Sequence, residues 1–497
     1  MTEEEHLRNK NRKKKSKRIF GIITLEILVL LLLFGTYRLF INVKEKEQEK
    51  TNTSEDNSQT KVEETEVGDD TKVVEETVVK EETVVKEEEG LSPDELEVIA
   101  EQDRLKKEIE ERQNLILQAD RLALGYNYDK AIELIKNYVG SDGKYKVYPP
   151  LVAAIERLDA EKKTLVLNGG SYNSVTMINH IFFHALIADN SKAFDGDRKE
   201  KGYNMYMTTV SEFSKMMQKM YEDDYVLVAM SDIAKKVTLE DGTTKYVESE
   251  FYLREGKKPF VLSVDDVNYY EYMTGDGFAS RIVVGEDGIP TCEMILEDGT
   301  TTTGQFDVVP ILDAFVKEHP DFSYQGAKGL LALTGYEGTL GYRTNDPASP
   351  TYEEDKESVK KVAEALKADG WEIGSHSWGH KNMQTESLAL LKRDTNRWLE
   401  EVGSLIGPTD IYIFPYGADI ETTMGHYSSD KYKFLKESGF DFYLGVFKEP
   451  WMHVKDDYVR MTRRPLDGQA LIQFSDRLAD LFDSKDIIDP ERPSKNW

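Results

Sequence analysis

The chain has 497 residues, of which 39% are hydrophobic, enough for two or three domains and a sizeable buried core. Its formal net charge of −28 argues against nucleic acid as a partner, since phosphate binding asks for a basic surface. A single cysteine, Cys292, excludes an internal disulfide framework, which is compatible with an exported protein of a disulfide-poor bacterium.

The charge is uneven along the chain. Arg8, Lys10, Arg12, Lys13, Lys14, Lys15, Lys17 and Arg18 make residues 1–18 a basic tail, directly before the apolar segment 19–43. That segment is long enough to cross a bilayer as one helix, and the flanking positive charge sets its N-terminus in the cytoplasm and everything after it outside. No small-x-small cleavage pattern follows, so a retained single-pass anchor in a bacterial cell membrane is expected rather than a signal peptide. Residues 44–90 are rich in Glu, Lys, Thr and Val, with a six-residue repeat through Val73–Lys86, and contain no aromatic residue. Such a segment cannot bury enough apolar surface to fold and reads as a disordered, acidic, extended linker.

Ser92, Pro93 and Glu95 open a helix, with apolar positions at Leu96, Ile99, Leu105, Ile109, Leu115 and Leu122. After Gly125-Tyr126-Asn127 a second helix runs through Ala131, Ile132, Leu134 and Ile135 to Tyr138. Residues 91–160 are therefore expected to be a helical hairpin or stalk. A single copy makes no peptide-binding array.

From about residue 161 to 480, strand-like runs alternate with helical patterns. The expected strands are Leu165–Leu167, Ile181–Phe183, Tyr225–Val228, Phe260–Leu262, Leu330–Leu333, Trp371–Ile373, Ile411–Phe414 and Phe442–Leu444. Helices fall at Ser211–Met220, Val308–Glu318, Lys356–Ala368 and Glu386–Leu405. This alternation predicts an α/β fold with a parallel sheet or barrel, whose sites gather at the C-terminal ends of the strands. Residues 275–305 look like an insertion with two Glu-Asp-Gly turns, and 481–497 like a C-terminal tail.

The strand Pro259–Val264 ends in two adjacent carboxylates, Asp265 and Asp266, a costly pairing unless a positive group sits there. His376 and His380, four apart after another strand, would share one face of a helical turn and could close on a metal with them. Each signal alone is weak. His180 and His184 have the same spacing, and an Asp-Asp pair is often a turn or a cap.

In combination and in this order, Ser263-Val264-Asp265-Asp266, Ser375-His376-Ser377-Trp378-Gly379-His380 and Phe414-Pro415-Tyr416-Gly417 resemble the three leading motifs of the polysaccharide deacetylases, carbohydrate esterase family 4. The resemblance spans roughly residues 178–470 and implies an irregular deacetylase-type (β/α) barrel. It implies that Asp266, His376 and His380 bind a divalent ion, most simply Zn2+, with Asp265 as general base and the Tyr416 backbone N–H holding an oxyanion. The implied substrate is an N-acetylated polysaccharide of the cell wall or extracellular matrix, and lipid is met only through the anchor.

Two departures stand out. The arginine that orients the catalytic aspartate in the family is replaced by Ile413, which leaves Arg463 or Arg464 to supply the charge, with Arg463 favoured. The late leucine-x-histidine motif, whose histidine protonates the leaving amine, has no clear match, and His453 lacks strand context. The run Asn179–His184 instead resembles the histidine-ended strand that opens circularly permuted poly-N-acetylglucosamine deacetylases. That makes His184 the expected general acid, with His180 its rival. Tyr269, Tyr270, Tyr272, Tyr336, Tyr342 and Trp378 are candidate sugar platforms or core residues. Two other readings stay open at this point, a catalytically silent glycan-binding protein and an O-acetyl esterase.

Overall fold

The structure, a computed structural model, describes residues 92–169, 178–421 and 426–494. The expected basic tail, membrane segment 19–43 and acidic linker 44–90 lie outside the described residues, among which no helix is long and apolar enough to cross a membrane. Two compact units divide between Leu115 and Ile116.

Two helices, α1 (Pro93–Leu124) and α2 (Tyr128–Lys136), lie in the segment where a helical hairpin or stalk is expected. A third helix, α3 (Pro149–Lys162), was not foreseen; it starts on two prolines, whose fixed φ and missing N–H suit a first turn, and buries Leu151, Ala154 and Leu158.

Seven parallel strands form a closed ring: β1 (Asn179–Phe183), β2 (Lys258–Val264), β3 (Leu330–Leu333), β4 (Glu372–Ser375), β5 (Ile411–Ile413), β6 (Phe442–Val446) and β7 (Val459–Pro465). They stand in chain order, each bonded to the next, and β7 returns to β1 through Arg464 opposite Ile181. Helices connect them, among them α4 (Glu200–Tyr206), α5 (Val210–Glu222), α6 (Val308–Glu318), α7 (Tyr352–Ala368), α8 (Leu388–Trp398) and α9 (Asp430–Glu437). A parallel seven-stranded (β/α) barrel is thus the architecture that residues 179–465 form.

Some expectations need correction. Val166–Gly169 is a strand but not part of the ring: it pairs antiparallel with Glu250–Leu253. Tyr225–Leu227 adds to the N-terminal half of β2 outside the ring, because the other half of that edge is taken by β3. The long helix expected from Glu386 is shorter, since a wider turn at Leu399–Gly403 interrupts it after α8. Residues 281–304 do form the expected excursion, a three-stranded antiparallel sheet whose turns place Gly288 and Gly299 at φ 81°. The segment expected as a C-terminal tail after residue 480 carries a short helix, Ser484–Ile487, and a buried Arg492.

Alternation along the strands separates two cores. One row, including Val261, Leu330, Ala332, Ile411, Ile413, Leu444, Val459 and Met461, packs together as the apolar filling of the ring, while Leu262, Leu331, Ile373, Tyr412 and Tyr443 pack on the other side with the helices. Two residues beyond Val261 and Met461 the inward row becomes polar, with Ser263 and Arg463, and Asp265 follows. The change from apolar to charged marks the floor of the site.

Candidate active site

Asp265 closes the inward row of β2 and is 3% exposed. Its backbone N–H still donates to Phe183 O at 2.8 Å, so the ladder with β1 holds its position. Arg463, from β7, reaches it with both terminal nitrogens, Nη1 to Oδ1 at 2.6 Å and Nη2 to Oδ2 at 3.0 Å. Nη1 also donates to Ser263 Oγ at 3.1 Å. Burial alone would raise the carboxyl of Asp265, but the Arg463 guanidinium outweighs it and holds the group well below the usual carboxylate range. Arg464 points elsewhere, to Asn179 at 2.7 Å and to Asp480, so of the two candidate arginines it is Arg463 that meets the aspartate.

Asp266 follows at φ 58°, a left-handed conformation that turns its side chain away from that of Asp265. Tyr270 Oη donates to its Oδ1 at 2.7 Å and lies 2.8 Å from Thr334 Oγ1. Burial, then the Asp266 charge, hold this phenol protonated well above its ordinary range, so it remains a donor. Asn268 ties the same loop to the end of β3: its Oδ1 accepts from Thr334 N and its Nδ2 donates to Thr334 O, both at 3.0 Å.

His376 and His380 are not on a helical turn as their spacing suggested. They occupy a loop after β4 in which Ser377 and His380 have φ of 62° and 49°. The loop is held from behind by Asp394 of α8, whose two carboxylate oxygens accept from the N–H groups of Trp378 and Gly379 at 2.8 Å each. His376 is buried, and its Nδ1 lies 3.0 Å from Ile413 O. A carbonyl only accepts, so Nδ1 carries the hydrogen and Nε2 is the outward lone pair. Burial lowers this imidazole to about 4 and keeps it neutral.

One donor atom each from Asp266, His376 and His380 lie within 4.8 Å of one another, with His380 Nε2 3.7 Å from Asp266 Oδ2. Two imidazole nitrogens and one carboxylate oxygen, with His376 and Asp266 oriented by Ile413 O and Tyr270 Oη behind them, fit a divalent ion with positions left open. His376 Nε2 is also 3.8 Å from Asp265 Oδ2, so the second carboxylate stands beside the triad without belonging to it.

Tyr416, at the C-terminal end of β5, adopts φ 60°, and its 69% exposed ring meets His380 edge-on at 4.5 Å between centroids. With Asp266, Tyr269, Ser377 and His380 it completes a set of non-glycine residues in left-handed conformation around one mouth, strain of the kind that accumulates where geometry is set by use. On β1 the two histidines separate. His180 is fully buried in the ring, its Nε2 3.0 Å from Ser263 Oγ, whereas His184 emerges at the strand's end with Nδ1 3.1 Å from Tyr206 O. His453, judged to lack strand context, lies in a strand after all, Met452–Val454, paired antiparallel with β7.

Residues 344–440 match the family model for polysaccharide deacetylase, a stretch that takes in His376, His380 and Tyr416. That stretch is similar to the polysaccharide deacetylases. Among solved structures, the chain is similar to a polysaccharide deacetylase from Bacillus cereus, with 11% identity over 61% of this chain and 68% of that one at a TM-score of 0.32. It is also similar to the deacetylase PplD of Streptococcus pyogenes in complex with acetate, with 13% identity over 60% and 96% of the two chains, again at 0.32. No curated protein matches the chain in sequence.

Around the barrel mouth the tyrosines divide. Tyr269 and Tyr342 are buried and serve the core, Tyr269 through a 2.7 Å bond to Asp307, while the equally buried Tyr270 serves Asp266. Tyr272 remains 48% exposed and stacks on Tyr270, which in turn stacks on Tyr336. Trp378 is held by its Nε1 on Glu401 and by the Arg397 guanidinium over its ring. Sequence reasoning missed the roles of Asp394, Asn268 and Tyr270 behind the site. Only Tyr270, four residues past Asp266, carried a local signal.

Proposed function

We propose that this protein is a metal-dependent N-deacetylase of acetylated amino-sugar polymers, tethered outside a bacterial membrane by residues 19–43. The observation that carries the catalytic part is the convergence of Asp266, His376 and His380 beside a second carboxylate, Asp265, that is ionised by a buried arginine. The tether rests on the basic and apolar pattern of residues 1–43 alone.

A divalent ion held by Asp266, His376 and His380 would supply Lewis-acid polarisation of the acetamide carbonyl and acidify the attacking water. Asp265, kept anionic by Arg463, accepts the proton of that water as its oxygen bonds to the carbonyl carbon. The N–H of Tyr416 faces the oxyanion that forms. The carbon–nitrogen bond then breaks while His184 gives a proton to the departing amine, and acetate and a free amino sugar result. His184 suits that role because its Nδ1 is engaged with a carbonyl oxygen, which makes Nε2 the nitrogen that gains and loses the proton. Its strand lies between β7 and β2, a position from which a histidine preceding the first motif can reach the mouth.

The test is acetate release by the metal-loaded full chain from N-acetylglucosamine oligomers and from cell-wall glycan, alongside Asp265→Asn and a chelated sample. Release that is absent in both controls supports the proposal. Glycan binding without release would identify a silent binding protein, and release from O-acetylated glycan alone an esterase.

A further inference from the structure

Among the residues after 480, Asp489 and Arg492 pack against α4 and α5, where Arg492 forms a buried ion pair. Arg492 and Glu212, 280 residues apart, both have fully buried side chains. Arg492 Nε donates to Glu212 Oε1 at 2.7 Å and Nη2 to Oε2 at 2.5 Å. The remaining donors of the same guanidinium go to main-chain and amide oxygens at the C-terminal end of α4: Nη1 to Asn204 O and Oδ1, both at 2.9 Å, and Nη2 to Met207 O at 3.0 Å. The carbonyls it clamps stand on either side of Tyr206, whose own carbonyl meets His184 Nδ1.

The clamp is reinforced from both ends. Asn204 Nδ2 donates to Pro493 O at 3.1 Å, and Thr209 Oγ1 to Asp489 Oδ2 at 3.0 Å. Thr208 Oγ1 donates to Leu466 O at 2.7 Å, just past β7, and Gly468 lies so close that a Cβ there would collide with Asn204 O and Arg492 Nη1. A fully buried ion pair adds little net stability over a well-packed apolar pair of the same size, so what it contributes here is a defined geometry.

We infer that Arg492 is a positioning residue for the leaving-group side of the reaction, fixing the Tyr206 carbonyl that orients His184. This rests on the function proposed above, in which His184 protonates the departing amine. A carbonyl free to swing would let the imidazole turn, and a misplacement of about 1 Å at a proton donor costs on the order of 100-fold in rate.

The experiment compares Arg492→Met, Arg492→Lys and His184→Asn in the metal-loaded full chain on two substrates, an N-acetylglucosamine oligomer and 4-nitrophenyl acetate. The phenolate leaves without a proton and so needs no general acid. Because Arg492→Met strands the Glu212 charge, the double variant Glu212→Leu/Arg492→Met is run beside it. Expected for Arg492→Met and for the double variant is a fall in kcat on the amide of about 10- to 100-fold at unchanged KM, with aryl-ester turnover kept within about twofold and partial recovery in Arg492→Lys. Equal losses on both substrates in the double variant, or no loss on either, would overturn the inference while His184→Asn still showed the split. If His184→Asn loses nothing on the amide, it is the assignment of His184 that fails.

Discussion

Arg463 offers the sharpest perturbation of the site. Replacing it with Met keeps much of the side-chain bulk but removes both guanidinium contacts to Asp265, leaving a carboxylate that is 3% exposed without its arginine partner. Breaking a buried pair from one side costs about 3–5 kcal/mol. The group can escape that cost by taking up a proton, so its pKa moves from well below the usual carboxylate range to above it. The sign follows from linkage: a depressed carboxyl contributes stability that is present above its unfolded value of 3.8 and is lost as pH falls through the folded one. Arg463→Met should therefore lose most of its stability deficit as the solution is acidified, while the parent protein weakens over the same range. At pH 7 a protonated Asp265 cannot accept a proton, and kcat for acetate release should drop by about 100-fold or more, recovering as pH rises. Arg463→Lys keeps the charge without the fork and should fall between. Urea titrations at several pH values and a pH profile of kcat measure both effects. A variant that keeps kcat/KM within about threefold of the parent at pH 7 would refute the view that Arg463 sets the charge of Asp265.

Two further outcomes can be checked with single substitutions. Tyr270→Phe removes the 2.7 Å bond to Asp266 Oδ1 and should weaken metal affinity by about 10- to 100-fold, measured by competition with a chromophoric chelator, with little change in the melting temperature. His180 is kept neutral by burial and then by the Arg463 charge, so its folded pKa lies well below 6.5. As pH falls below 6.5 the unfolded chain binds a proton that the folded one does not, and stability declines by up to about 1.4 kcal/mol per pH unit. His180→Leu should flatten that decline in urea titrations between pH 7 and 5.5, and an unchanged slope would mean that His180 is not the buried neutral group described here.

Most of the ring strands were legible because each carries a short apolar run, although β7, with Arg460, Arg463 and Arg464 in it, does not; of the helices, α6 and α8 begin on Asp307 and Ser387 caps, while α9, capped by Ser429, was not expected. The one long helix missed, α3, did carry a signal in Leu151, Ala154 and Leu158 behind two prolines. The ligand set could be named from order and spacing, but not the way it is built. A four-residue spacing suggests a helical turn, whereas Ser377 and His380 reach the same convergence through left-handed backbone that no residue type announces. The sequence left the arginine between Arg463 and Arg464, with Arg463 favoured. The parity of β7 decides between them, since Met461 and Arg463 share the inward row. The Arg492–Glu212 pair acts across 280 residues and leaves no local pattern to read, and Asp394 meets its loop from a separate helix.

The order of the strands bears on how the molecule is made. The first strand out of the ribosome finds its second neighbour only when the last one arrives, and Arg464 joins Asn179 across 285 residues. Until then the sheet has two raw edges, and Asp265 lacks its counter-charge, because Arg463 belongs to the late strand. Contacts so distant in sequence form slowly and leave partly built chains prone to stick. A chain cut short before residue 465 would consequently be an open, adhesive sheet, not a weaker enzyme, and the same few residues that finish the wall also switch on the chemistry inside it.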